Sequence, residues 1–267
     1  MGALKTFKPV HPNAGIEAAY SRQLLALIDQ MNKSVNFWVL QAYKTNAPEI
    51  AMDASPAFLM RVLMKRLSRY WLKKFSDRAP DLAKSFTKQS GDYTTRAFMD
   101  SLKQAGFAIE FKMTAAMNDV AQATVNANVA LIKSIPQRHL AEVEGIVMRS
   151  VQTGRDLGTL SKELQANFGV TRRRAQFISR DQNNKATAAI TKVRQKEAGI
   201  TEAVWMHSNG GNEPRQEHVK WGAAKKTYKI DEGMYSEVEG KFIYPGERPN
   251  CRCISRPVIP GLSYHLR

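Results

Sequence analysis

From about residue 15 to about residue 198, apolar positions fall at three- and four-residue steps, the spacing that puts side chains on one face of an α-helix. In AAYSRQLLALIDQMNKSVNFWVLQAY the stripe is Leu24, Leu25, Ile28, Met31, Val35 and Val39. NAPEIAMDASP interrupts it with two prolines, and Ser55 beside Pro56 predicts an N-cap. A second helix is predicted over about 56–76, with Met60, Leu63, Met64, Leu67, Trp71 and Phe75 on its buried face and DRAP at its end. The stretch from Asp92 to Pro136 reads as one or two helices, bent near Gly106 and stopped by Pro136. Pro136 then opens a helix that Gly154 ends, GTLSKELQANFG is a short helix ended by Gly169, and Thr171 caps a last helix that closes at Gly199.

The period changes after Gly199. EAVWMHS, KKTYKI, KFIYP and RCISRPVI are short β-like runs separated by clustered Gly and Pro. The expected fold class is α+β: a long, mainly α-helical body followed by a small C-terminal α+β module with short antiparallel strands. The expected organisation is an extended N-terminal arm over 1–14, the helical body over 15–199, the Cys- and His-containing module over 200–260 and a tail over 261–267.

Charge adds a partner class. The chain carries 40 Lys and Arg against 24 Asp and Glu, a net +16, so polyanions are the expected partners, nucleic acid first and an anionic membrane surface second. Much of that charge sits on two helices. Residues 61–78 hold Arg61, Lys65, Arg66, Arg69, Lys73, Lys74 and Arg78 against Asp77 alone. Arg61, Lys65, Arg69 and Lys73 are spaced by four and line one face, where like charges repel unless an anion meets them. In residues 171–200, TRRR places Arg172, Arg173 and Arg174 at an expected helix start, against the helix dipole, with Arg180 one stretch further on. Both faces suit contact with the phosphate backbone of double-stranded DNA without reading of bases, or else are simply solvated. Trp71 falls on the core side of its helix, which argues against a membrane as the main partner.

Two cysteines make no disulfide scaffold and fit a reducing compartment. The N-terminus lacks the apolar core of a secretory signal, and no apolar run approaches the ~20 residues of a membrane span. MGALKT satisfies a loose myristoylation pattern through Gly2 and Thr6.

The candidate chemistry lies in the C-terminal module. His207 and His218 precede Cys251 and Cys253, and Arg215 and Glu217 sit beside His218. On a strand, residues two apart point to one side, which disfavours a disulfide and suits joint capture of a metal. Two Cys and two His make a tetrahedral set for a structural zinc, although the C-x₂-C spacing is missing. The alternatives are small buried thiols and a histidine that holds a turn. A metal-free nuclease with His218 as general acid and base is the enzymatic alternative. No nucleotide-binding loop or Ser-His-Asp order accompanies it.

RAQFISRDQNNKATAAI, GITEAVWMHSNGGNEPRQEHVKWG and FIYPGERPNCRC together resemble the Mu F-like head morphogenesis family of phage minor head proteins, over about residues 120–258. The matching positions are Arg180-Asp181-Gln182, Asn184, Gly199-Ile200, Trp205, Arg215, His218, Gly222, Pro245-Gly246 and Asn250 to Cys253. Two positions depart from the family pattern: Asn209 or Asn212 stands where Asp is common, and Asp181-Gln182 replaces a Thr-Glu pair. The resemblance implies a non-enzymatic minor capsid protein inside the virion head, found in the host cytoplasm during assembly. It implies association with the portal protein, with DNA, and with capsid or scaffold protein as a further option, in head assembly, DNA packaging or genome delivery.

Overall fold

A computed structural model describes residues 6–45, 55–154, 156–211 and 213–259. Four long helices come first: α1 (Ala14–Thr45), α2 (Pro56–Gln104), α3 (Ala115–Gln152) and α4 (Leu157–Glu197). They are followed by β1 (Glu202–Met206), α5 (Gln216–Ala223), β2 (Thr227–Lys229), β3 (Met234–Ser236), β4 (Lys241–Ile243) and β5 (Ile254–Pro257). The α+β expectation holds, and β3 is the one strand that the pattern did not mark. Gly2 of the myristoylation pattern, the NAPEIAMDA break and the 261–267 tail lie outside the described residues.

The helices are longer than the sequence suggested. DRAP does not end α2, Pro136 lies inside α3, and Gly169 and Thr171 lie inside α4. Each proline removes one backbone hydrogen bond, a cost of about 3 kcal/mol in a helix interior. Buried neighbours offset it: Phe75, Ala79 and Ala83 around Pro80, and Ile132, Ile135 and Leu140 around Pro136. Thr171 caps nothing; its hydroxyl donates to the Asn167 carbonyl at 3.0 Å, one turn back in the same helix. The true stops are Gly106, Gly154 and Gly199, at φ of 90°, 93° and 70°. Asn13, Ser55 and Asp156 accept backbone N–H groups at the starts of α1, α2 and α4.

The chain divides into two compact units, one of Met1–Glu17, Ser85–Thr124 and Arg180–Arg267, the other of Ala18–Lys84 and Val125–Ser179. The division expected after residue 199 is therefore not where the units part. Among the described residues, the regular structure of the second unit is all helix. Leu24, Ile28, Met31, Val35 and Val39 are buried, as are Met60, Met64, Leu67, Trp71 and Phe75, while Leu63 is half-buried. Polar ties supplement this core: Tyr20 donates to Asn128 at 2.8 Å, and the Trp71 indole to Ser34 at 3.3 Å. Among the described residues, no helix is long and apolar enough to cross a membrane.

The first unit holds the strands. β1 is the centre of an antiparallel sheet of order β2-β1-β5, and β3 and β4 form a separate hairpin. The arm adds to the sheet's outer edge: Thr6 bridges Val258, and the Phe7 amide donates to the Pro257 carbonyl at 2.9 Å. Trp205 on β1 is fully buried and sits edge-on to His218 and Trp221, each ring centre 4.9 Å away. Phe7, Val10, Phe98 and Leu102 belong to the same core as Trp205, Trp221, Cys251 and Cys253, so the strands do not form a free-standing module.

Two expectations follow. Burial pushes His139 down to about 4, and its Nδ1 lies 3.0 Å from the Thr171 hydroxyl. The unfolded chain takes up this proton below about pH 6.5 while the native chain resists until about pH 4, so stability is lost as pH falls through that window. Urea unfolding at pH 7 and pH 5 should show that His139→Gln removes about 2 kcal/mol of the wild-type difference. At Gly222 on α5, a Cβ would lie 2.4 Å from His207 Cβ and 2.9 Å from the His207 backbone nitrogen. Gly222→Ala should cost about 1–3 kcal/mol in the same measurement, because a backbone atom has no rotamer with which to yield.

Candidate functional site

The site is built on the C-terminal half of α4. Asp181 is buried there, and its Oδ1 accepts the Asn250 backbone N–H at 2.7 Å while Lys185 neutralises Oδ2 at 2.7 Å. Asn184 donates to the Cys251 carbonyl at 3.3 Å. Pro245-Gly246 turns the incoming chain onto the same helix. Gly246 has φ of 83°, and a Cβ there would come within 2.8 Å of Ala188 Cβ. Asn250 takes a left-handed φ of 59°, and the Cys251 amide closes the turn on the Arg248 carbonyl at 2.9 Å. Asp181 and Asn184 are bracing positions that periodicity missed; Asn184 was marked by its place in the family pattern, and Asp181 only as a departure from it.

This turn delivers both thiols to one imidazole. His218 Nδ1 lies 3.6 Å from Cys251 Sγ and 3.6 Å from Cys253 Sγ, and the three residues are buried. Both cysteines are free. They do not sit on a strand as expected, since the β1–β5 ladder begins at Met206 with Ile254 and the chain before it is loop. They still converge, because the turn at Asn250 does the aiming. The hydrogen bond from Cys253 pushes the Cys251 thiol below its ordinary value, helped by His218 and the backbone N–H groups of Cys253 and Gly246 and opposed by burial. The same contact with Cys251, together with burial, pushes Cys253 up. The Trp205 indole makes no hydrogen bond of good geometry, yet it and the Ser208 backbone N–H favour the ionised form of Cys253. His218 Nε2 is buried with no partner among the described residues.

His207 does not join this set. Its Nδ1 is engaged by Asn209, at 3.0 Å from the side-chain oxygen and 3.1 Å from the backbone nitrogen. The expected four-residue zinc set thus becomes three residues, His218, Cys251 and Cys253, whose ligand atoms all lie within 4.8 Å of one another. The reason is local: α5 packs Gly222 directly against His207, leaving its ring beside the Asn209 turn. Asn212 lies outside the described residues. Both histidines and both thiols border a cavity of about 540 Å³ that also takes in Arg180, Arg215 and Arg252, with Glu213 the one carboxylate on its wall among the described residues. Arg215 donates to the Pro249 carbonyl at 3.2 Å, and Arg180 reaches Asn250 at 3.5 Å.

Glu217 is committed elsewhere. Burial pushes its carboxyl up, but hydrogen bonds from the Ser236 hydroxyl at 2.6 Å and from the Val238 and Glu237 amides outweigh it and leave the group below its ordinary value. It fastens α5 to the β3–β4 hairpin.

The two basic faces differ. On α2, Arg61, Lys65, Arg69 and Lys73 are all exposed. Only Lys73 of the four has an acidic partner among the described residues, Asp77 at 2.7 Å. On α4 the charges are largely absorbed. Arg172 pairs with Asp29, Arg174 donates to Ser134 at 2.9 Å, Arg194 pairs with Glu197 at 2.6 Å and Lys196 with Asp231 at 2.5 Å. Arg173 remains exposed. Nor do Arg172, Arg173 and Arg174 open a helix; they lie well inside α4, so the expected dipole penalty does not arise.

Residues 141–256 match the family described as Phage Mu protein F like protein, inside the 120–258 span expected from the motifs. A protein of Haemophilus influenzae, described as uncharacterized, is 29% identical over 265 residues, covering 96% of this chain. The chain spans 56% of that relative's length. No solved structure matches. The matched span takes in the thiol pair, His218, the arginines around the cavity and the α4 platform beneath them, and residues 141–256 are a Phage Mu F-like segment.

Proposed function

We propose that this chain is a non-catalytic minor head protein of a phage, acting inside the head at the portal vertex and contacting DNA through the phosphate backbone. The Mu F-like segment supports a place in head morphogenesis and in the virion. The observation that carries the DNA contact is the row of Arg61, Lys65, Arg69 and Lys73: four exposed cations on one helical face, with one acidic partner among them. Such a row is costly in isolation and favourable against a polyanion, because each phosphate contact releases condensed counterions. Arg173 supplements it, while Arg172 and Arg174 contribute less because their guanidinium groups are already engaged. A nuclease centred on His218 has weaker support, since Nδ1 faces two sulfurs and the neighbouring Glu217 serves the hairpin.

Fluorescence anisotropy with duplexes of unrelated sequence should give one common affinity that falls steeply with salt. Changing Arg61, Lys65, Arg69 and Lys73 together to Glu should abolish most binding. Neutralising them to Gln should lower the slope of log affinity against log salt by about 3–4. Unchanged affinity at low salt would remove this face from the interface. Cleavage of the duplex that disappears in His218→Ala would replace the reading with a hydrolytic one. Co-expression with a portal protein of the same phage should yield a complex through gel filtration, and separate elution would overturn the portal docking.

A further inference from the structure

The three ligand-type atoms beside the arginine-lined cavity are spaced as a metal would space them. In a tetrahedral zinc site with Zn–S near 2.3 Å and Zn–N near 2.05 Å, a sulfur and a nitrogen on the same ion stand about 3.6 Å apart. Two sulfurs stand about 3.8 Å apart. His218 Nδ1 lies 3.6 Å from each sulfur, and the three atoms fall within 4.8 Å of one another. One Nδ1 facing two sulfurs at equal distance matches a shared thiol hydrogen bond and equally the spacing of three ligands on one ion.

We infer that His218 Nδ1, Cys251 Sγ and Cys253 Sγ bind one zinc ion, with the fourth coordination position facing the cavity. Two thiolates and an imidazole are a borderline-soft donor set, which selects zinc over the hard cations that prefer oxygen. Two thiolates balance the ion's charge, so loading adds no net positive charge beside Arg180, Arg215 and Arg252. Backbone N–H groups also approach the sulfurs. The backbone N–H groups of Gly246 and Cys253 address Cys251, and that of Ser208 addresses Cys253. The ligands come from two segments, α5 and the 245–253 turn, so the ion would fasten the turn to the helix much as Asp181 fastens it to α4. All three residues border the cavity, and the imidazole of His207 is held by Asn209, so the fourth ligand is a solvent molecule.

Protein purified without chelator, and apo protein titrated with zinc alone, should hold about one zinc per chain by elemental analysis. Cobalt-substituted wild type should show thiolate-to-metal charge transfer in the near ultraviolet and the intense visible bands of tetrahedral cobalt. Cys251→Ser and Cys253→Ser should each weaken the charge-transfer band and lower the metal content. The cobalt spectrum of the wild type reads the ligand set even if those variants fail to fold. His207→Ala keeps the Cβ against which Gly222 packs and should retain the ion. Metal content near zero both as purified and after zinc addition, or a cobalt spectrum without thiolate bands, would overturn the site. Loss of metal in His207→Ala would overturn the three-ligand assignment.

Discussion

The hydrogen bond from the Asn250 amide to the buried Asp181 carboxylate is the constraint on which the site depends. Asn250 is held at a φ of 59°, a conformation that asparagine tolerates better than most non-glycine residues but that still draws on support from its surroundings. A charged acceptor supplies about 1.5–3 kcal/mol towards that support, and the close approach of Gly246 to Ala188 places the rest of the turn on the same helix face. The carboxylate tolerates burial because Lys185, one turn along α4, meets its other oxygen. Everything beyond the turn follows from its direction: Cys251 and Cys253 reach the same imidazole without being on a strand.

Packing overrides local punctuation elsewhere in the chain. Pro80, Pro136, Gly169 and Thr171 all read as helix boundaries, and all lie within helices. Gly106, Gly154 and Gly199 do end helices, and the difference lies in the backbone. At these three the chain adopts positive φ, which glycine permits without strain. At the prolines only one hydrogen bond is lost, and the buried side chains on either flank keep the rod continuous.

Legibility therefore varied with the range of the interaction. The apolar stripes of α1 and α2 could be read because periodicity and burial are properties of one helix; Trp71 and Phe75 are buried where the spacing put them. Four strands could be read from composition, while β3 was missed because Met234–Ser236 is three residues long and pairs only with β4. The site was half legible. His218, Cys251 and Cys253 stood out by residue type, but His207 was included because sequence cannot show that Gly222 fixes its ring beside Asn209. Asp181 was seen as a departure from a motif, when its meaning is a contact with a residue sixty-nine positions away. Charge was least legible: eight basic residues in 171–200 look like a polyanion-binding face until Asp29, Ser134, Glu197 and Asp231 are found beside them.

The cationic cavity and the thiol cluster are consequences of the same backbone. Arg252 lies between the two cysteines, Arg215 stands three residues before His218, and Arg180 adjoins the Asp181 that holds the turn. Each segment that supplies a ligand or its brace also supplies a guanidinium to the cavity wall. Any change that releases the 245–253 turn from α4 must disperse the arginines together with the thiols. The dependence also runs the other way for two of them, because Arg215 donates to the Pro249 carbonyl and Arg180 reaches Asn250, both within the turn. Variation at Arg180 or Arg215 thus changes both what enters the cavity and how the turn beside the cluster is held.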